Sequence, residues 1–209
     1  MSVKRKTKPR QRAAPRAGKS PRAREGTHSY KRARLPGDLS LPALVARMIR
    51  VDHAGEFGAV RIYEGQLRVL GAAPAGPVIR HMAAQEREHL KSFERLMLDR
   101  RARPSALLPL WRIAGYALGA GTALLGPEAA MACTVAIEDV IDGHYARQAE
   151  ALGRDEPELV RALARFRADE GAHRQAALDH GAKRAAAYAP LTAAIKLGAR
   201  AAIWLSERI

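Results

Sequence analysis

Two stretches of this 209-residue sequence carry the same short pattern, Glu86-Arg87-Glu88-His89 and Glu170-Gly171-Ala172-His173. On an α-helix, residues three apart project from one face about 60° apart, so each pattern puts a carboxylate and an imidazole within reach of a common ion. One copy alone is weak, because charged helices produce Glu-x-x-His by chance on solvated faces. Each copy, however, follows an isolated acid in small or apolar company: Glu56 within Ala54-Gly55-Glu56-Phe57-Gly58-Ala59-Val60, and Glu138 after Cys133-Thr134-Val135-Ala136-Ile137. A lone carboxylate on a core-facing stripe is costly unless it is paired or bound to a metal. Glu56 precedes Glu86 by 30 residues and Glu138 precedes Glu170 by 32, so the two halves form a pseudo-repeat offset by 82 and 84 positions. Four carboxylates and two imidazoles suit a pair of iron or manganese ions, whereas structural zinc would call for thiolates.

The neighbouring acids and histidines sort by helical angle. Glu88 lies about 200° from Glu86 and faces away, and Glu64 and Glu94 read as solvated. Asp169 directly precedes Glu170, and Asp52 lies one turn before Glu56. Either could accept the outer ring N–H of a metal-binding histidine and fix its tautomer; Asp169 with His89 is the preferred pairing. His53, His81 and His180 have no comparable partners and are assigned to the surface or to caps.

These side chains need helices to hold them, and from Leu39 onward nearly every segment reads as helix. Alanine and leucine dominate and apolar residues recur at intervals of three and four. The pattern predicts helices over 40–71, 76–101, 112–124, 127–153, 157–182 and 187–207. The breaks between them fall at Gly71 to Pro77, Arg103-Pro104, Gly126-Pro127, Gly153 to Pro157 and Ala189-Pro190. The expectation is an all-α, ferritin-like four-helix bundle with additional amphipathic, membrane-interfacial helices. In such di-iron bundles two helices each give a Glu and the other two each give a Glu-x-x-His.

Lys and Arg number 36 against 21 Asp and Glu, for a formal net charge of +15. Residues 1–34 alone carry +12, with three prolines and almost no large apolar side chain, so they are expected to be a disordered basic tail ahead of a catalytic domain over 35–209. They contain no apolar run of the secretory type; they lack the regular apolar stripe of a mitochondrial transit helix, although their Arg-rich, acid-poor make-up leaves that second reading open. The single cysteine, Cys133, excludes a disulfide-built scaffold. Nucleic acid, a partner such a charge suggests, would engage only the tail and is the weaker expectation; an anionic membrane surface is the better one. Gly119-Ala120-Gly121 does not complete a dinucleotide-binding loop, and no strand precedes it.

Several longer strings carry a resemblance. Val51-Asp52-His53-Ala54-Gly55-Glu56, Gln85-Glu86 with His89, Leu110-Trp111 leading to Gly119-Ala120-Gly121-Thr122-Ala123-Leu124-Leu125-Gly126, Met131-Ala132-Cys133-Thr134-Val135-Ala136 and Trp204-Leu205-Ser206-Glu207-Arg208 resemble the demethoxyubiquinone hydroxylase family over about 41–209. The resemblance implies a di-iron monooxygenase that uses O₂ to hydroxylate the ring of demethoxyubiquinol in ubiquinone biosynthesis. NADH would be a transient electron donor. Carried over position by position, it implies two iron ions held by Glu56, Glu86, His89, Glu138, Glu170 and His173, with Glu86 and Glu170 bridging. It also implies an electron-delivering pair, here His144-Tyr145, although Asp142-Gly143 just before it favours helix poorly.

A polyprenyl quinol substrate lives in lipid, and the uncharged run from Ile113 to Pro127 is too short to span a bilayer, which takes roughly 20 apolar residues. Together with Leu191, Ile195, Ile203 and Trp204, and with Lys196 and Arg200 one turn apart, it fits interfacial attachment. The expected place is the cytoplasmic face of a bacterial inner membrane, or else the matrix side of the mitochondrial one, alone, as a homo-oligomer or within a ubiquinone-biosynthesis complex. The alternative is a ferritin-like iron-binding or ferroxidase protein, which needs the same six ligands but no lipid-facing segment.

Overall fold

The computed structural model describes residues 36–209. The expected basic tail over 1–34 lies outside the described residues. Six α-helices follow in order: α1 (Leu41–Leu70), α2 (Gly76–Asp99), α3 (Leu108–Leu124), α4 (Pro127–Leu152), α5 (Pro157–Asp179) and α6 (Tyr188–Ser206), with a 3₁₀ turn at Ala182–Arg184 before the last. No strand occurs among the described residues. Helices α1, α2, α4 and α5 form the four-helix bundle, and α3 and α6 lie against α1 and α4.

Helix boundaries follow local chemistry. Ser40 caps α1, its hydroxyl accepting from the Ala43 amide, and proline occupies the first turn of every one of α1 to α5. That habit explains why α3 begins at Leu108, four residues earlier than expected: Pro109 fits its first turn, where no backbone donor is needed. Helix α5 stops at Asp179, short of 182, because Gly181 turns to φ 87° and the chain tightens into the 3₁₀ turn. Asp142-Gly143 does not interrupt α4, which runs on through His144 and Tyr145.

Two apolar clusters divide the bundle. One gathers Tyr63, Leu70, Ile79, Met82, Ala130, Met131 and Ala177. The other gathers Val45, Ile49, Phe93, Ile141, Tyr145, Leu163 and Phe166. On all four helices Glu56, Glu86, Glu138 and Glu170 fall in sequence between the residues given to one cluster and those given to the other, so a polar layer is sealed at both ends.

The outer helix α3 lies unusually close to α1. A Cβ at Gly115 would stand 2.8 Å from the Gly58 carbonyl oxygen, one at Gly119 would overlap the Ile62 carbonyl, and one at Gly65 would overlap the backbone at Tyr116. Hydrogen at these positions is what lets the two backbones meet. The reverse side of α3 exposes Leu110, Ile113, Tyr116 and Leu124, and Leu125 follows it. On α6 the expected lipid-facing set divides. Ile195 is buried, Leu191 packs against the bundle and Ile203 is half-buried, whereas Trp204 is exposed, as is Leu197, which lay outside that set. Lys196 reaches inward to Asp139 at 2.6 Å instead of outward. The Trp111 indole N–H donates to Ser206 Oγ at 3.1 Å, tying the start of α3 to the end of α6.

The glycine contacts give a paired prediction. Gly119→Ala must push α3 off α1, an overpacking cost of about 1–3 kcal/mol and a melting temperature lower by several degrees. Gly121→Ala, on the same helix with nothing near its added methyl, should be neutral or stabilise by up to about 1 kcal/mol. Equal melting temperatures for the two variants would rule out the close crossing.

Candidate metal centre

Each of the four bundle helices carries its predicted residues inward at mid-length: Glu56 on α1, Glu86 and His89 on α2, Glu138 on α4, Glu170 and His173 on α5. All six are buried, none more than 4 % exposed. They form two overlapping groups, Glu56/Glu86/His89/Glu170 and Glu86/Glu138/Glu170/His173, and within each group the ligand atoms lie within 4.8 Å of one another. Glu86 and Glu170 belong to both.

The histidines aim Nδ1 at the centre. His89 Nδ1 lies 3.2 Å from Glu170 Oε1, and His173 Nδ1 lies 3.0 Å from Glu86 Oε1, so each ring faces the shared acid of the other half. Their outer nitrogens are held from behind: His89 Nε2 is 3.1 Å from Asp169 Oδ2, and His173 Nε2 is 3.1 Å from Gln85 Oε1. An outer N–H donated to these oxygens leaves the inner nitrogen with its lone pair facing the carboxylates. The Tyr63 hydroxyl donates to Glu138 Oε1 at 2.8 Å, and the Tyr145 hydroxyl donates to Glu56 Oε1. Burial, and then the surrounding acids, push both phenols well above their ordinary range, so they stay donors.

Asp52 does not serve a ligand histidine. Its Oδ1 lies 3.1 Å from His144 Nε2 and accepts from Gln148 Nε2 at 2.7 Å, forming a buried triad between α1 and α4. Burial raises the Asp52 pKa, and these two donors oppose the rise. His53, assigned to the surface, is buried instead and its ring titrates lower for that reason, because α1 is covered by α2, α3, α4 and α6. His81 is exposed and His180 is a cap, its Nδ1 2.8 Å from the Ala176 carbonyl oxygen. Glu88 and Glu94 are exposed, and Glu64 is half-buried against Arg61.

Tyr63 and Gln85 as partners of the ligands were not anticipated from sequence. A signal for both lies in the repeat. Each tyrosine stands seven residues after the first Glu of its half, and Gln85 and Asp169 each stand immediately before the Glu of a Glu-x-x-His. In every case the contact crosses to the opposite half.

Eight inward atoms of the six residues, namely Glu56 Oε2, Glu138 Oε2, both oxygens of Glu86 and of Glu170, and both histidine Nδ1 atoms, are buried without a hydrogen-bond partner. Buried acceptors in that number are costly unless cations take them up. The donor set of carboxylate oxygens and imidazole nitrogens therefore fits two divalent cations.

Residues 43–206 match the family described as "Ubiquinone biosynthesis protein COQ7". The chain belongs to this family. It is similar to a 3-demethoxyubiquinol 3-hydroxylase of Rhodospirillum rubrum, 58% identical over 177 residues and covering 84% of each chain. The Homo sapiens member, named NADPH-dependent 3-demethoxyubiquinone 3-hydroxylase, mitochondrial, is 53% identical over 171 residues, 80% of this chain and 79% of that one. A Saccharomyces cerevisiae member, 5-demethoxyubiquinone hydroxylase, mitochondrial, is 44% identical over 184 residues, 80% and 79% of the two chains.

Without metal, protons must hold the cluster together. Burial first, and neighbouring carboxylates second, push Glu56 and Glu138 well above the ordinary carboxylate range. Burial opposes charge on the histidines, but Glu170 and Glu86 outweigh it and push His89 up to about 11 and His173 up to about 9. Glu170 moves the other way, to about 2, burial being overcome by His173 and His89. Groups with raised folded values stabilise below their unfolded values and lose that contribution as pH rises; the Glu170 contribution is lost only in acid. The melting temperature of chelator-treated protein should therefore fall from about pH 5 to about pH 9, and two equivalents of divalent cation should raise it and flatten the slope. A melting temperature that climbs with pH across that interval would refute this account.

Proposed function

We propose that this chain hydroxylates the benzoquinol ring of demethoxyubiquinol with O₂ in ubiquinone biosynthesis, using two iron ions held by Glu56, Glu86, His89, Glu138, Glu170 and His173, with Glu86 and Glu170 bridging. The observation that carries the reading is the sharing of those two carboxylates between two complete four-residue groups. When bound, the iron pair would supply O₂ activation: with two electrons and two protons drawn from a donor and solvent, one oxygen atom would enter the ring and the other leave as water.

The chain's own residues position and insulate. Asp169 and Gln85 hold the histidine tautomers, and Tyr63 and Tyr145 hold one oxygen of each terminal carboxylate, leaving the other free to bind. The two apolar clusters keep bulk water from the polar layer. An apolar hollow lined by Phe57, Leu108, Pro109, Arg112 and Ile113 adjoins α1 one residue beyond Glu56 and supports entry of a polyprenyl substrate there. The exposed apolar faces of α3 and α6 support peripheral attachment to a membrane, since no helix among the described residues is long and apolar enough to cross one. Relatives named mitochondrial support the matrix side of a mitochondrial inner membrane, and the Rhodospirillum rubrum relative supports the cytoplasmic face of a bacterial inner membrane, the placement we favour.

His144 and Tyr145 are proposed to deliver electrons. A second hollow, lined by Arg47, Met48, Val51, His144, Arg147, Gln148 and Glu207, reaches His144. The His144 and Tyr145 rings lie 6.2 Å apart, and Tyr145 is hydrogen-bonded to Glu56, so side chains connect that hollow to the metal ligands. The resemblance in sequence suggests NADH as donor; the human relative's name specifies NADPH.

Glu138→Ala and His173→Ala should each lose bound iron and hydroxylation together, read by metal analysis and by mass spectrometry of the quinones. A variant that keeps two irons and turns over normally would sink the assignment. Soluble, iron-filled shells without quinol turnover would favour the ferroxidase alternative. His144→Asn should keep both irons while turnover with NADH or NADPH falls about 10-fold or more, and a chemical reductant should restore it. Unchanged turnover with either nucleotide would remove His144 from electron delivery.

A further inference from the structure

The two halves of the centre are related residue for residue, which makes one departure from that relation informative. At matched positions offset by 82, Glu56 and Glu138 bind, and Tyr63 and Tyr145 each support the acid of the opposite half. At matched positions offset by 84, Glu86 and Glu170 bridge, His89 and His173 bind, and Gln85 and Asp169 each support the histidine of the opposite half, both at 3.1 Å. Geometry is conserved across the exchange, but charge is not. His89 gives its outer N–H to a carboxylate, and His173 gives its own to a neutral amide.

A carboxylate behind a histidine raises the electron density at its inner nitrogen and adds a negative charge near the cation. An amide fixes the ring equally well but does neither. The side chain of Asp169 is 43 % exposed, so solvent screens its effect and the difference stays modest.

We propose that the two cation positions are unequal: the position bounded by Glu56, Glu86, His89 and Glu170 fills first and more tightly, and Asp169 and Gln85 are the positioning residues that set the order. The inference rests on the ligand assignment above and adds to it a distinction between the two metals.

Metal-free protein would be titrated anaerobically with ferrous iron-57, with calorimetry for the two dissociation constants and Mössbauer spectra at one and two equivalents. The wild type should bind in two steps, with one quadrupole doublet at the first equivalent and a second doublet only at the second. Asp169→Asn keeps shape and hydrogen bonding but removes the charge. It should weaken the first step about 10-fold, the low end of the range for residues that support metal ligands, and bring both doublets in together. Gln85→Glu adds a charge at unchanged length and should tighten the second step. A gain of affinity is a result that mere structural damage cannot give. Two doublets of equal area at one equivalent of wild type, or dissociation constants unmoved in both variants, would overturn the inequality while leaving the ligand set standing. Fewer than two ions bound by the wild type would overturn the ligand set and the inference together.

Discussion

Everything in this structure answers to four carboxylates buried at the middle of an apolar bundle. Isolated in such surroundings they repel one another and forfeit their hydration, so the fold can keep them only by supplying opposite charge. Two imidazoles supply part of it when protonated, two phenolic hydroxyls add neutral hydrogen bonds, and further protons or divalent cations must supply the rest. Stability and metal binding are therefore one problem in this molecule. The apolar clusters on either side serve both ends, since the burial that makes the acids costly when empty also strengthens their hold on a cation.

The exchange of contacts between halves explains why the bundle needs all four helices. A pair such as α1 and α2 holds three of the proposed ligands, but its tyrosine and its glutamine reach candidates on α4 and α5, and its own three are supported by Tyr145 and Asp169. Neither half can hold even one position by itself, because each four-residue group draws on both Glu86 and Glu170. The pseudo-repeat is thus a requirement of the chemistry as well as a pattern in the sequence.

The bundle and its six inward residues were legible because their signals are local. Proline and glycine mark every helix break, and an acid amid alanine and glycine on a helix has few reasons to be there. What was not legible depends on how many neighbours cover a helix. His53 was assigned to the surface because it has no partner pattern in the sequence, whereas it is buried because α1 is covered from several directions. Ile195 and Lys196 looked outward for the converse reason, since nothing in the α6 sequence says that Asp139 waits on α4. Asp52 and His144 are 92 residues apart, and their pairing follows only from the way α1 and α4 are set side by side. Tyr63 and Gln85 are unremarkable residues until the 82- and 84-residue offsets are applied to them.

Those same offsets expose a second break in symmetry, away from the ligands. Asp52 and His144, four residues before one terminal Glu and six after the other, have Thr134 and Ile62 as their counterparts. On the Thr134 side the polar groups turn to the backbone: Thr134 Oγ1 and Gln66 Nε2 both donate to the Ala130 carbonyl. Ile62 is buried there in an apolar cluster against which Leu118 of α3 packs, with Gly119 of α3 set directly over the Ile62 backbone. One flank is thus plugged by an outer helix, while the other carries a hydrogen-bonded triad out to a hollow at the surface. Two symmetric halves would offer two identical approaches to the metals. The proposed reaction, which would take a lipid-borne ring and electrons from a water-soluble donor, would need two different ones, and a His/Asp pair on one flank with Ile/Thr at the matched positions of the other makes the two flanks different.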